Sequence, residues 1–230
     1  MISLPVAGRW IGAAILAGYA LDIGSNFFLQ PAIRTGEGAM GLLGGAAAQP
    51  GLIGGIVLAG LVSGVISLAA AALLCQLTVA RSIAWLGFLY LGLKATSFGM
   101  GGGEFASYQV FRTLGDAIAA DPSGQLATLA GPLKDLVVAQ RDGLHFPHML
   151  LGGCGAFVLY LLLYRAQFVP SWLGLAGLVA AASQMTGVFT GVLGHEVSFL
   201  FLAPLALVHL VLALWLLARG FAGERAAAPA

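Results

Sequence analysis

The sequence predicts an all-helical membrane bundle: six transmembrane helices with two short amphipathic helices on the outer face. Three observations predict it. Of 230 residues, 60% are hydrophobic and 8% charged, where a globular protein has roughly a quarter charged. Mean hydropathy is +0.97. Apolar windows of about 20 residues, the length that crosses a 30 Å hydrocarbon core, recur along the chain. Ten Lys and Arg with nine Asp and Glu cannot cover a soluble domain of this length, whereas a bilayer needs no charged cover over its hydrocarbon belt. A formal net charge of +1 without any Lys/Arg-rich run argues against a nucleic-acid partner.

Residues 10–29 form the first expected span. Arg9 before an apolar stretch imitates a signal peptide, but Gly18-Tyr19-Ala20 is a poor cleavage site and Asp22 continues the helix, so this span is expected to stay. The Gly- and Ala-rich stretch 36–51 reads as a re-entrant or mobile connection. Spans 52–79 and 83–102 follow, the second interrupted by Lys94. Segment 103–145 is the outer cap, with helically spaced apolar residues on both sides of a turn at Asp121-Pro122-Ser123-Gly124. Gly131-Pro132 threatens to break its second helix. Spans 146–164, 171–193 and 197–218 complete one transmembrane domain over 1–221, with 222–230 as a disordered tail.

Arg9, Arg81, Arg165, Arg219 and Arg225 fall at one side in short loops or tails. Arg34, Arg112, Lys134 and Arg141 fall at the other. The short-loop bias predicts both termini in the cytoplasm. Four-residue glycine spacings, such as Gly8/Gly12 and Gly187/Gly191, predict close helix packing. Cys75 and Cys154 lie in apolar runs and read as buried free thiols.

The run Leu159-Tyr160-Leu161-Leu162-Leu163-Tyr164-Arg165, then Val169-Pro170-Ser171-Trp172-Leu173-Gly174, and finally Leu212-Ala213-Leu214-Trp215-Leu216-Leu217 before Gly220-Phe221, is distinctive. It resembles the bacterial domain-of-unknown-function family numbered 4386, best over 145–221 and loosely over the first hundred residues. The resemblance implies a multi-span protein of the bacterial inner membrane and no established reaction. Members tend to have an arginine with a nearby acid in the third span; this chain has Lys94 there and Glu104 ten residues on, so no role is carried over. Without the family, Pro170 still reads as a helix start and Trp172 as an aromatic-belt residue.

Ionisable groups inside spans are costly and should face partners. Asp22, Lys94 and His209 fall at similar predicted depth, and an Asp22 to Lys94 ion pair is expected there. It acts either as a register pin or as a proton relay. A second set gathers at the outer ends: Glu104 ends the third span, His145 and His148 open the fourth, and His195-Glu196 close the fifth. Three histidines and two carboxylates are the ligand inventory of a divalent-metal site such as zinc. Against it, His195 and Glu196 are adjacent and Pro147 weakens the His145/His148 geometry. Haem ligation would need His148 with His195. No Gly-x-Ser-x-Gly elbow is present, and Gly99 to Gly103 lacks the ending of a phosphate loop.

Three readings follow. The preferred one is a non-enzymatic membrane protein, among lipids and as a homo-oligomer or accessory subunit, whose outer polar pocket binds a lipid, small ligand or metal. The others are a metal-dependent hydrolase of a lipid-like substrate, with Glu104 or Glu196 as base, and a small ion-coupled carrier using Asp22, Lys94 and His209.

Overall fold

The computed structural model describes residues 2–79 and 81–222. Among them every regular element is a helix. In chain order these are α1 (Leu4–Ile23), a π-helical turn (Gly24–Leu29), α2 (Gln30–Ala32), α3 (Gly38–Ala48), α4 (Pro50–Thr78), α5 (Ala84–Ala119), α6 (Gln125–Thr128), α7 (Ala130–Arg165), α8 (Ser171–Val192) and α9 (Phe199–Arg219). Five segments are long and apolar enough to cross a membrane: Leu4–Ala32, Pro50–Thr78, Ala130–Arg165, Ser171–Val192 and Phe199–Arg219. The protein is thus a helical membrane protein, as its composition requires. The third predicted span lies in α5 from Ala84 onward, but Lys94 and the Gly, Ser and Thr residues after it leave that helix outside the five.

The structure departs from the sequence expectation in the cap. The two short amphipathic helices expected over 103–145 are not separate: apart from the four-residue α6, α5 runs unbroken to Ala119, and α7 begins at Ala130 and continues through the fourth span. The glycines at 99 to 103 do not stop α5, because no proline follows and Gly103 is covered by the Leu144 side chain. Pro132 falls in the first turn of α7 instead of breaking it: there its missing N–H removes no bond within the helix. His145 and His148 therefore sit inside a long helix, with Pro147 in its interior, and do not open one. At 36 residues each, α5 and α7 extend about 54 Å if straight, beyond the roughly 30 Å of hydrocarbon. The stretch 36–51 is also not a loop: α3 occupies it. Gly45 lies against the Ile33 carbonyl and Gly115 against that of Leu43, so small residues seat α3 where larger ones would be excluded. Of the predicted tail 222–230, all but Ala222 lies outside the described residues, Arg225 included.

Between α5 and α6 the expected turn forms. The Asp121 carboxylate accepts the Ser123 hydroxyl at 2.6 Å, the Ser123 N–H at 2.9 Å and the Leu126 N–H at 2.8 Å. The Ser123 hydroxyl, then the Leu126 amide, hold the carboxyl below its ordinary 3.8. A depressed carboxyl stabilises the fold above its unfolded value, and that contribution is lost as pH falls through the lower folded value. Hydrogen exchange of the Ser123 and Leu126 amides, taken relative to intrinsic rates, should lose protection on acidification below about pH 4. In Asp121→Ala the protection should be absent at every pH.

The chain divides into two compact units. Unit one comprises Met1–Gly18, Val65–Phe98 and Phe146–Ala230; unit two comprises Tyr19–Gly64 and Gly99–His145. Unit one has a core of Leu74, Leu86, Leu162, Leu163, Leu173 and Leu216, among others, with Tyr160 fully buried. Its characteristic sequence run is a packing device. Phe168, in the α7–α8 turn, stacks on Phe221 with centroids 4.7 Å apart, and Ala222 donates its N–H to the Phe168 carbonyl at 3.0 Å. The Arg81 guanidinium lies 4.9 Å above the Phe168 ring. Gly220, at φ +69°, packs against the Pro5 backbone, and Gly8 packs against Gly220 and Phe221. The Tyr160 ring covers Gly177, and Tyr164 covers Gly174. Unit two is built on Ile33, Leu43, Ile53, Ile56, Tyr108, Phe111 and Val137.

Candidate functional site

In unit two the antiparallel stretches of α5 and α7 face each other through polar residues one helical turn apart. Glu104 and Tyr108 are four residues apart on α5, as are Arg141 and His145 on α7, so each pair shares a helix face. Glu104 is 4% exposed. Its Oε1 accepts the His145 Nδ1–H at 2.9 Å, the role open to that nitrogen against an ionised carboxylate. Arg141 Nη2 stands 3.8 Å from the same oxygen, and Nη1 donates to Asp142 at 3.3 Å. The guanidinium carbon is 5.7 Å from the Tyr108 ring centre. Below it, the T-shaped contact of Tyr108 with Phe111, centroids 6.1 Å apart, joins the cluster to the apolar core.

Two donors in this unit are buried and unsatisfied: Arg141 Nε–H and the Ser107 hydroxyl. Ser107 is 1% exposed and lies one turn beyond Glu104 on α5. A buried donor without an acceptor costs about 1–3 kcal/mol. The cluster thus combines a satisfied acid–imidazole pair with unused donor capacity.

Of the five predicted outer residues, the structure brings Glu104 and His145 together. His148 belongs to unit one, where its backbone carbonyl accepts the Ser97 hydroxyl at 3.4 Å. His195 and Glu196 are exposed in the α8–α9 turn of unit one. Among the described residues, no three His, Cys, Asp or Glu side chains are grouped so as to hold a metal ion. The position next to Glu104 and His145 goes instead to Arg141, a cation. Sequence reasoning missed Arg141, Ser107 and Tyr108, although the Glu104/Tyr108 and Arg141/His145 spacings were available to find two of them.

The predicted intramembrane layer is distributed over both units. Asp22 lies on α1 within unit two, while Lys94 and His209 lie in unit one. The Tyr160 hydroxyl and His209 Nδ1 share a hydrogen bond of 3.0 Å, with their rings edge to face at 5.2 Å. The Lys94 ammonium is 5.9 Å from the Tyr90 ring centre, and its charge bears on His209.

Neither a curated protein nor a solved structure is significantly similar to the chain. A family model does match, and it spans residues 10–220, nearly the whole bundle including the α7–α8 turn and Gly220. The chain belongs to the family described as Domain of unknown function (DUF4386).

Proposed function

We propose that this is a non-enzymatic protein of the bacterial inner membrane, both termini cytoplasmic, whose α5–α7 cluster binds a small oxygen-bearing ligand. One observation carries the reading: Arg141 Nε–H and the Ser107 hydroxyl are buried donors without acceptors, beside a Glu104–His145 pair that is already hydrogen-bonded. Donors left over in a buried site call for acceptor oxygens. Charge narrows the class. Glu104 and Asp142 already neutralise Arg141, so a further anion would be repelled, and a neutral molecule with carbonyl or hydroxyl oxygens, such as the ester region of a lipid, fits better. Arg141 also opposes a divalent cation at the Glu104–His145 pair.

Native mass spectrometry of protein purified in mild detergent tests this. Wild type should retain a small molecule that Ser107→Ala holds roughly five- to tenfold less often, the effect of one neutral hydrogen bond. Arg141→Lys, which keeps the charge but removes the Nε donor, should lose it likewise. Equal retention by all three proteins would refute the reading, as would a wild type that holds nothing.

A further inference from the structure

Contacts within unit one gather several chain segments at one end. Gly8 of α1 meets Gly220 and Phe221 beyond α9. Phe221 stacks on Phe168 in the α7–α8 turn, and Arg81 after α4 lies over that ring. Arg9, Arg81, Arg165 and Arg219 are therefore collected at this end, and Arg9, Arg165 and Arg219 are exposed. Trp10, Trp85 and Trp172 begin or lie near the start of α1, α5 and α8 at the same end and are 63%, 59% and 57% exposed.

Among the described residues, no acidic side chain lies on this surface. Among the described residues of unit one the sole carboxylate side chain is Glu196, in the α8–α9 turn at the opposite ends of those helices. Unit two is built differently: Arg112 pairs with Asp116 at 3.9 Å, Lys134 with Asp135 at 2.8 Å and Arg141 with Asp142 at 3.3 Å. Three cations there have acidic partners, whereas among the described residues Arg9, Arg165 and Arg219 at the arginine end of unit one have none.

We propose that this end of unit one is a docking surface for the phosphate headgroups of anionic phospholipids. Charge complementarity selects the occupant. The cations are all arginine, whose planar fork binds phosphate oxygens in pairs. Exposed indoles have the amphipathic character of headgroup-level residues, which places the guanidinium groups beside phosphates rather than in bulk water. A neutral zwitterionic headgroup offers the same phosphate but brings its own ammonium, so the surface discriminates between lipid classes.

The test uses the full chain in bilayer nanodiscs of equimolar phosphatidylglycerol and phosphatidylcholine, with native mass spectrometry reading the ratio of lipids retained. Wild type should enrich phosphatidylglycerol. The triple variant R9Q/R165Q/R219Q, which leaves the Arg81–Phe168 contact intact, should lose the enrichment, at roughly fivefold for each arginine removed. Arg112→Gln should change nothing. High salt should erode the wild-type preference, whereas inorganic phosphate at matched ionic strength should do no more than that salt. A wild type without preference overturns the proposal, as does a triple variant that keeps it. Should the triple variant fail to fold, the wild-type salt series decides: a preference untouched by salt refutes headgroup electrostatics. Displacement by phosphate beyond the salt effect would identify a free-anion site and refute lipid docking.

Discussion

Glu104→Leu is expected to destabilise the protein by about 3 kcal/mol, read as a fall in the unfolding midpoint in detergent. Removing the carboxylate leaves the His145 Nδ1–H without the acceptor it has at 2.9 Å, and takes from Arg141 the anion 3.8 Å away. The cost of breaking a buried ion pair is about 3–5 kcal/mol because one charge stays behind. Arg141 keeps Asp142 at 3.3 Å and its side chain is 24% exposed, so the lower end of that range applies. The same physics makes a second, sharper prediction. Replacing Glu104, Arg141 and His145 together by Leu, Met and Leu should recover most of the loss, since no member is stranded. A triple variant less stable than Glu104→Leu would show that the three side chains do not act as one cluster.

Gly220→Ala should be about as damaging for a different reason. Gly220 adopts φ +69° with ψ −165°, a region essentially confined to glycine that costs an L-residue about 1–3 kcal/mol. An added Cβ would also stand 2.6 Å from the Pro5 Cα and 2.8 Å from its carbonyl carbon. Those atoms are backbone, so they cannot swing away as a flexible side chain would, and overpacking of this kind adds about 1–3 kcal/mol. Together the two effects give roughly 3 kcal/mol, and the Phe168–Phe221 stack should loosen with them. Gly124→Ala is the milder comparison: Gly124 has φ +69° with ψ 6°, in the left-handed region that an alanine enters at about 1–2 kcal/mol, and nothing lies within 4 Å of its Cβ position. Its midpoint should fall by less than half as much. Equal falls would mean that the close approach of Pro5 adds nothing to the cost at 220.

What could be read from sequence follows the strength of the physical signal. Helical spans were legible because 20 apolar residues have few alternatives in water or lipid. Turn chemistry at Asp121-Pro122-Ser123 was legible because its hydrogen bonds are local. Helix length was not. Gly99 to Gly103 and Gly131-Pro132 look like breaks, yet Gly103 is used for contact with Leu144 and Pro132 for a first turn, choices that depend on tertiary neighbours. The same limit governed the site. Glu104 and His145 stood out as rare ionisable groups near apolar runs, but whether metal ligands or an arginine completed their surroundings depended on α7 extending back to Arg141. Gly220-Phe221 was recognisable as a pattern and became intelligible once Gly8, Pro5 and Phe168 were beside it.

The central claim is that Glu104, Arg141, His145 and Ser107 hold a small molecule, beyond fixing helix register. Unfolding midpoints before and after exhaustive detergent exchange test it most directly, because a ligand bound to the folded state raises stability in proportion to its occupancy. Wild type should lose several degrees on exchange, corresponding to about 1–3 kcal/mol of linked binding. Ser107→Ala should start lower and change little. Equal losses in the two proteins, or no loss in wild type, would contradict the account.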